Sequence, residues 1–282
     1  MSSPPAGQTA RSSVLPITRG RRRTTLRTAD GVAIEVAYEP CATGPESSDG
    51  LAIVVAHGFT GDLLKPHVRR AAGVFTQFGA VITFSFRGHG RSGGRSTVGD
   101  REVLDLAAAV EWARSLGCTR VVTVGFSMGG SVVLRHGALH GGRTEARPDA
   151  VVSVSAPARW YYRGTPSMRR LHWLITRRTG RAVGRHVLRT RIHHRDWDPV
   201  PLSPVESVPL IEAPLLVVHG DRDPYFPLDH PRMLAAAAPG VELWLEPGMG
   251  HAEHAAGEEL LSRIGEWARH SSLVGNLSPC GD

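Results

Sequence analysis

A chain of 282 residues with 41% hydrophobic and 21% charged residues can bury one large core, which places it outside the disordered, collagenous and membrane-spanning classes. The formal net charge is +7, yet Lys65 is the only lysine among 33 basic residues, so a bias toward arginine explains part of the basic character. The longest apolar runs are short pieces such as Leu51 to Ala56, well below the ~18 to 20 residues that cross a bilayer.

Residues 1 to about 23, rich in Ser, Pro, Gly and Arg, are expected to form a disordered basic tail. No hydrophobic segment follows Arg21-Arg22-Arg23, which argues against a secretory signal. Cys41, Cys118 and Cys280 are odd in number, far apart and without neighbouring Cys or His ligands. A reduced, cytoplasmic setting without a disulfide framework is the expectation.

Thr24 to Thr28 and Val32 to Tyr38 flank the turn dipeptide Asp30-Gly31 and predict a hairpin. Leu51 to Ala56 predicts a strand covered on both faces, and Leu63 to Phe78 a helix. Ala80 to Phe86 is the next strand. In the following helix Val103, Leu106, Val110 and Ala113 mark an inner face, and Asp105, Glu111 and Arg114 are assigned to the outer one. Strand Arg120 to Val124, helix Met128 to Leu139 and strand Ala150 to Val154 come next. A long irregular region leads to strand Leu215 to Val218, helix Asp229 to Ala238, strand Val241 to Leu245 and helix Ala252 to Trp267. Ser271 to Asp282 is expected to be a loose tail. Repeated β-α alternation predicts an open, mostly parallel sheet with helices on both faces and ligands beyond the carboxyl ends of its strands.

Four signals fall at such strand ends. Gly125-Phe126-Ser127-Met128-Gly129 follows Val121 to Val124 and reads as a strand turning sharply into a helix, with Ser127 as a nucleophile at its apex. The backbone N–H of Met128 then points at a developing oxyanion. His57-Gly58-Phe59-Thr60-Gly61 offers the Phe59 N–H as a second donor. Residues 219–227 carry two carboxylates, Asp221 and Asp223, and Pro247-Gly248-Met249-Gly250-His251 presents an imidazole just before a helix.

Together with Arg87-Gly88-His89-Gly90-Arg91-Ser92, and with the order Ser, Asp, His, these blocks resemble the α/β-hydrolase superfamily. The similarity runs over roughly residues 24 to 270 and points to the serine-hydrolase branch of bacterial carboxylesterases, feruloyl-type esterases and monoacylglycerol lipases. It implies an eight-stranded sheet with a helical cap after the sixth strand, at about residues 157–212. It selects Asp223 over Asp221 as the acid and His251 over His254 as the base, and gives His57 and His89 loop-shaping roles. Ser85 stands where the family often has Asp. The implied reaction is ester cleavage through an acyl-enzyme on Ser127, with Phe59 and Met128 as oxyanion donors. It needs no cofactor or metal, and His251-x-x-His254 lacks a third ligand nearby in sequence.

Between Ala158 and Arg195 lie eleven arginines and no acidic residue, which leaves 22 basic against 26 acidic residues elsewhere, a balance of −4. Two amphipathic helices broken at Thr179-Gly180 are expected here. Met168, Leu171, Leu174 and Ile175 mark the apolar face of the first. In the second, Val183 and Val187 face inward against an Arg181, Arg185, Arg189 stripe, and Trp160, Tyr161, Tyr162 and Trp173 help to roof the pocket. One reading of this charge is a solvated outer face in an arginine-biased composition; the other is attraction to an anionic lipid surface or an acidic ligand. Nucleic acid is disfavoured because no stacking motif accompanies the charge. Amidase, aminopeptidase or acyltransferase chemistry uses the same three residues, whereas dehalogenase and epoxide-hydrolase chemistry would need Asp at position 127. A non-catalytic ligand-binding or peripheral membrane protein on the same fold is the alternative of another class.

Overall fold

The structure is a computed structural model that describes residues 20–44, 49–142 and 144–274. The disorder expected of residues 1–19, the end of the C-terminal tail and Cys280 lie outside the described residues.

The chain opens with the hairpin β1 (Arg22–Arg27) and β2 (Ala33–Glu39), and continues through β3 (Leu51–Ala56), α1 (Pro66–Phe75), β4 (Ala80–Phe84) and α2 (Glu102–Ser115). Next come β5 (Arg120–Phe126), α3 (Met128–Leu139) and β6 (Ala150–Val154), then the cap helices α4 (Pro166–Thr176), α5 (Arg178–His186) and α6 (Pro204–Ser207). The chain closes with β7 (Leu215–Gly220), α7 (Asp229–Ala236), β8 (Glu242–Glu246), α8 (Ala252–Ala255) and α9 (Glu258–Val274). The eight strands form one sheet in the order β1-β2-β4-β3-β5-β6-β7-β8. β1 and β2 pair antiparallel, as do β2 and β4, and every pairing from β3 to β8 is parallel.

Alternation along the buried strands sorts the core into two layers. Ala52, Val54 and Ala56 of β3 pack with α2 and α3 residues such as Leu106, Val110 and Val133. Leu51, Ile53 and Val55 point the other way, onto Val68, Ala71 and Phe75 of α1 and Leu261 and Ile264 of α9. β-branched runs such as Val121-Val122-Thr123-Val124 suit a sheet buried on both sides. Moving outward from β3, the chain runs to β4 on one side and β5 on the other, which places the switch point at their carboxyl ends. Among the described residues no helix is long and apolar enough to cross a membrane.

Several expectations are corrected. Arg22 and Arg23 belong to β1 rather than to the tail, because they pair with Tyr38 and Ala37. Residues 271–274, expected to be loose, complete α9, where buried Ser272 accepts from Arg120 Nη1 at 3.0 Å. The single helix expected over Ala252 to Trp267 is two, α8 and α9, parted where Ala256 turns to φ −65° and ψ 110°. Asp105 is not on an outer face: it is fully buried against Arg87.

Candidate active site

Ser127 sits between β5 and α3 with φ 52° and ψ −112°, a strained conformation, and is half-buried at the lining of the cavities described below. Glycines flank it for steric reasons. A Cβ on Gly125 would overlap the Gly129 carbonyl, and one on Gly129 would overlap the Ala56 carbonyl of β3. The Ser127 N–H donates to Val154 O at 2.8 Å, and its carbonyl accepts from Ser131 N at 3.1 Å, which fixes the turn to β6 and starts the helix.

The imidazole of His251 arrives from the turn after β8 and lies between serine and carboxylate. Its Nε2 is 2.8 Å from Ser127 Oγ and its Nδ1 is 2.7 Å from Asp223 Oδ2. The Asp223 side chain is fully buried, and its other oxygen accepts from the N–H groups of Tyr225 and Phe226 at 2.8 and 3.1 Å. Those bonds orient the carboxylate. Tyr225 lies 4.3 Å from the His251 ring, centroid to centroid, and confines it. Asp221 lies apart from the imidazole: its Oδ1 accepts from Gly248 N at 2.6 Å and ties the acid loop to the histidine loop. Behind the carboxylate, the Nε2 of buried His219 lies 2.8 Å from Phe226 O and 3.7 Å from Asp223 Oδ2, and burial lowers its pKa.

His57 and His89 do shape loops. The His57 ring bridges Gly58 O (2.7 Å from Nδ1) and Phe86 N (3.0 Å from Nε2), which makes Nδ1 the donor and Nε2 the acceptor in a neutral imidazole. Burial holds its pKa at about 3. His89 Nδ1 lies 3.0 Å from Arg87 O. The Arg87 guanidinium is locked by Asp105 and Asp30 through contacts of 2.7 to 2.9 Å, and holds the Asp30 carboxyl down at about 2. Ser85, the departure from the family pattern, is buried and accepts from Leu63 N at 3.2 Å.

Two supporting residues escape sequence reasoning. Ser155 Oγ, at the end of β6, accepts from Ala252 N at 3.0 Å and pins the residue after His251. Glu253 Oε1 accepts from Gly58 N at 2.9 Å, next to Phe59. The first carries no motif. The second follows the histidine by two positions but finds its partner 195 residues away.

Two cavities meet at Ser127 and Phe59. The wide one, about 1120 Å³, is lined by Leu171, Trp173, Leu174 and Leu188 of the cap and by Tyr225 and His251 of the body. A narrower one, about 210 Å³, is walled by Met128, Trp160, Tyr161, Tyr162 and Trp197. Met168 and Ile175 of α4 face the narrow cavity, Leu174 faces the wide one and Leu171 lines both, so the apolar face of α4 divides the two. The cap is tied to the body by bridges pairing His89 with Thr190 and Ser96 with Ile192. Its helix break falls at Arg177, not at Thr179-Gly180. Gly180 lies within α5, where a Cβ would strike the Trp173 carbonyl, so this glycine allows the two helices to cross closely. Val183 and Val187 are 39% and 71% exposed and line neither cavity; buried Gly180 and Gly184 form the inner face of α5 instead.

A serine at a strained strand-to-helix turn, over a parallel sheet and in line with an imidazole and a carboxylate from later strand ends, defines the class. The chain belongs to the alpha/beta hydrolase family, whose model matches residues 53–263. A monoacylglycerol lipase of Mycolicibacterium smegmatis is 28% identical over 243 residues, covering 73% of this chain and 83% of that protein. An uncharacterized protein of Mycobacterium tuberculosis is 26% identical over 272 residues, covering 94% and 84%. Among solved structures, an esterase of Pyrococcus furiosus superposes with a TM-score of 0.68 at 24% identity over 90% of this chain and 93% of that one. Est1E from Butyrivibrio proteoclasticus with ferulic acid bound gives 0.60 at 19% identity, covering 90% and 100%.

Proposed function

We propose that this protein is a serine hydrolase that cleaves carboxylic esters, with Ser127 as nucleophile, His251 as general base and acid, and Asp223 as the orienting carboxylate. The observation that carries the reading is the unbroken line from Ser127 Oγ to His251 Nε2 at 2.8 Å and from His251 Nδ1 to Asp223 Oδ2 at 2.7 Å. His251 takes the serine proton as Oγ attacks the ester carbonyl, while Asp223 keeps the remaining ring proton on Nδ1 and stabilises the imidazolium. The N–H groups of Phe59 and Met128 receive the oxyanion. His251 returns its proton to the departing alcohol, then activates a water that hydrolyses the acyl-enzyme and restores Ser127. An ester substrate is favoured by the names of the relatives, a lipase and an esterase. Two largely apolar cavities meeting at the nucleophile suit a substrate with an apolar group on each side of the scissile bond.

Labelling with a fluorophosphonate probe tests the nucleophile. Wild type should be labelled and Ser127→Ala should not; equal labelling of both overturns the proposal. An ester panel from acetate to palmitate, run beside matched amides, then fixes the acyl preference and separates esterase from amidase activity.

A second reading concerns the cap. Arg169, Arg170, Arg177, Arg178, Arg185 and Arg189 are all exposed, and Arg169 and Arg170 line the wide cavity. They support a cap that docks on an anionic lipid surface with the cavity mouth facing it.

A further inference from the structure

We propose that His67, Glu253 and His254 form a binding site for a zinc-class divalent transition metal at the rim of the wide cavity. The sequence places His254 beside His251 without a third ligand; the fold supplies His67 from the first turn of α1. Each of the three residues offers one ligand atom, and these atoms all lie within 4.8 Å of one another.

The same residues hold two buried atoms with no hydrogen-bond partner among the described residues, His67 Nε2 and Glu253 Oε2. The Glu253 side chain is only 2% exposed, and while Oε1 accepts from Gly58 N, the second oxygen is left over. His67 Nε2 lies 3.8 Å from Glu253 Oε1, too far for a hydrogen bond. That distance is to the oxygen already bonded to Gly58 N; the three ligand atoms, all within 4.8 Å of one another, lie near the spacing of about 3.4 Å that tetrahedral bonds of about 2.0 to 2.2 Å set. The widest separation closes with side-chain shifts of about an ångström. His254 is exposed and lines the cavity, with its ring 3.7 Å from that of His67, centroid to centroid.

The elements bearing the ligands are already fastened. Arg70 Nη2 donates to Glu253 O at 2.8 Å and to Ala256 O at 2.9 Å, which straps α8 and its exit onto α1. Two imidazoles and one carboxylate suit zinc, nickel or copper and are poor ligands for magnesium or calcium, and three protein ligands leave a position open toward the cavity. Through Glu253 the ion would connect to the loop that carries Phe59.

Calorimetric titration of the tag-free, chelator-treated full chain with zinc chloride tests the site. Wild type should take up one zinc, His67→Ala and His254→Ala should each bind it at least about tenfold more weakly, and magnesium chloride should give no binding heat. A His193→Ala, His194→Ala double variant removes the stacked surface pair, whose rings lie 5.2 Å apart, and should bind zinc as wild type does. His254 is exposed, so His254→Ala should melt as the metal-free wild type does; that variant keeps the test clear of misfolding. Failure of wild type to take up zinc, or unchanged affinity in His254→Ala, overturns the proposal. Neither result depends on whether Ser127 is the nucleophile.

Discussion

Asp223→Asn is the most discriminating change because it alters one atom and leaves the loop nearly intact. The wild-type carboxylate accepts from Tyr225 N and Phe226 N through Oδ1 and from His251 Nδ1 through Oδ2. An asparagine must keep its carbonyl oxygen facing those two backbone donors, since turning its NH₂ toward them would set donor against donor. The NH₂ group then faces His251 Nδ1 and makes that nitrogen an acceptor. The ring proton moves to Nε2, which now donates to Ser127 Oγ instead of accepting from it. Proton abstraction from the serine is lost, and so is the negative charge that steadies the imidazolium. A wrong-tautomer change of this kind costs about 10⁴ in kcat, or about 5.4 kcal/mol in the barrier. Initial rates on p-nitrophenyl butyrate should show that loss in kcat, with circular dichroism and melting temperature close to wild type. A folded variant that keeps more than a tenth of wild-type kcat refutes the assigned role of Asp223.

Three further outcomes are expected. Asp105→Ala strips the buried Arg87 guanidinium of its Asp105 bonds and should cost about 3 to 5 kcal/mol in urea unfolding; a loss below about 1 kcal/mol would contradict the burial described. Burial depresses His136 to about 3 and His89 to about 4. Both folded values lie below the ordinary ~6.5, so the stability they contribute is complete above that pH and falls by about 1.4 kcal/mol per unit per histidine on acidification toward pH 4; a melting temperature flat from pH 7 to 4.5 would show that these rings are not held neutral. Replacing Arg181, Arg185 and Arg189 together by alanine should weaken co-sedimentation with phosphatidylserine vesicles while leaving turnover of a soluble ester unchanged, and undiminished vesicle binding removes the docking role from α5.

What the sequence revealed and what it hid follow from the range of the interactions concerned. β3, β5 and β6 were legible because continuous β-branched runs demand burial on both faces; ladder partners extend β5 to Phe126 and β7 to Gly220, while β4 stops at Phe84, two residues short of the expected Phe86. The elbow was legible because Gly125 answers a clash inside the motif itself, with the Gly129 carbonyl. Asp105 was misplaced because helical spacing reports which face a residue occupies, not whether a cation from β4's far end waits there, and Arg87 does. Val183 and Val187 misled for a related reason: α5 meets α4 at Gly180 and residues Thr190 and Ile192 at Gly184, so close approach rather than apolar area decides which face turns inward. His67 left no trace, since its partners lie 186 and 187 positions onward.

Glu253 shows how such distant contacts organise the site. Oxyanion stabilisation depends on donors fixed before charge develops, and a loop as rich in glycine as residues 57–61 is poorly fixed by its own backbone. One carboxylate oxygen remedies this by accepting from Gly58 N at 2.9 Å, just before the proposed donor Phe59. Glu253 stands two residues past His251, on a turn that Ser155 Oγ holds through Ala252 N and Arg70 holds through two carbonyls. The proposed base and the proposed oxyanion donor are therefore referenced to a single short segment. A displacement of that segment moves both at once, so its effect on turnover should exceed what either group would lose alone.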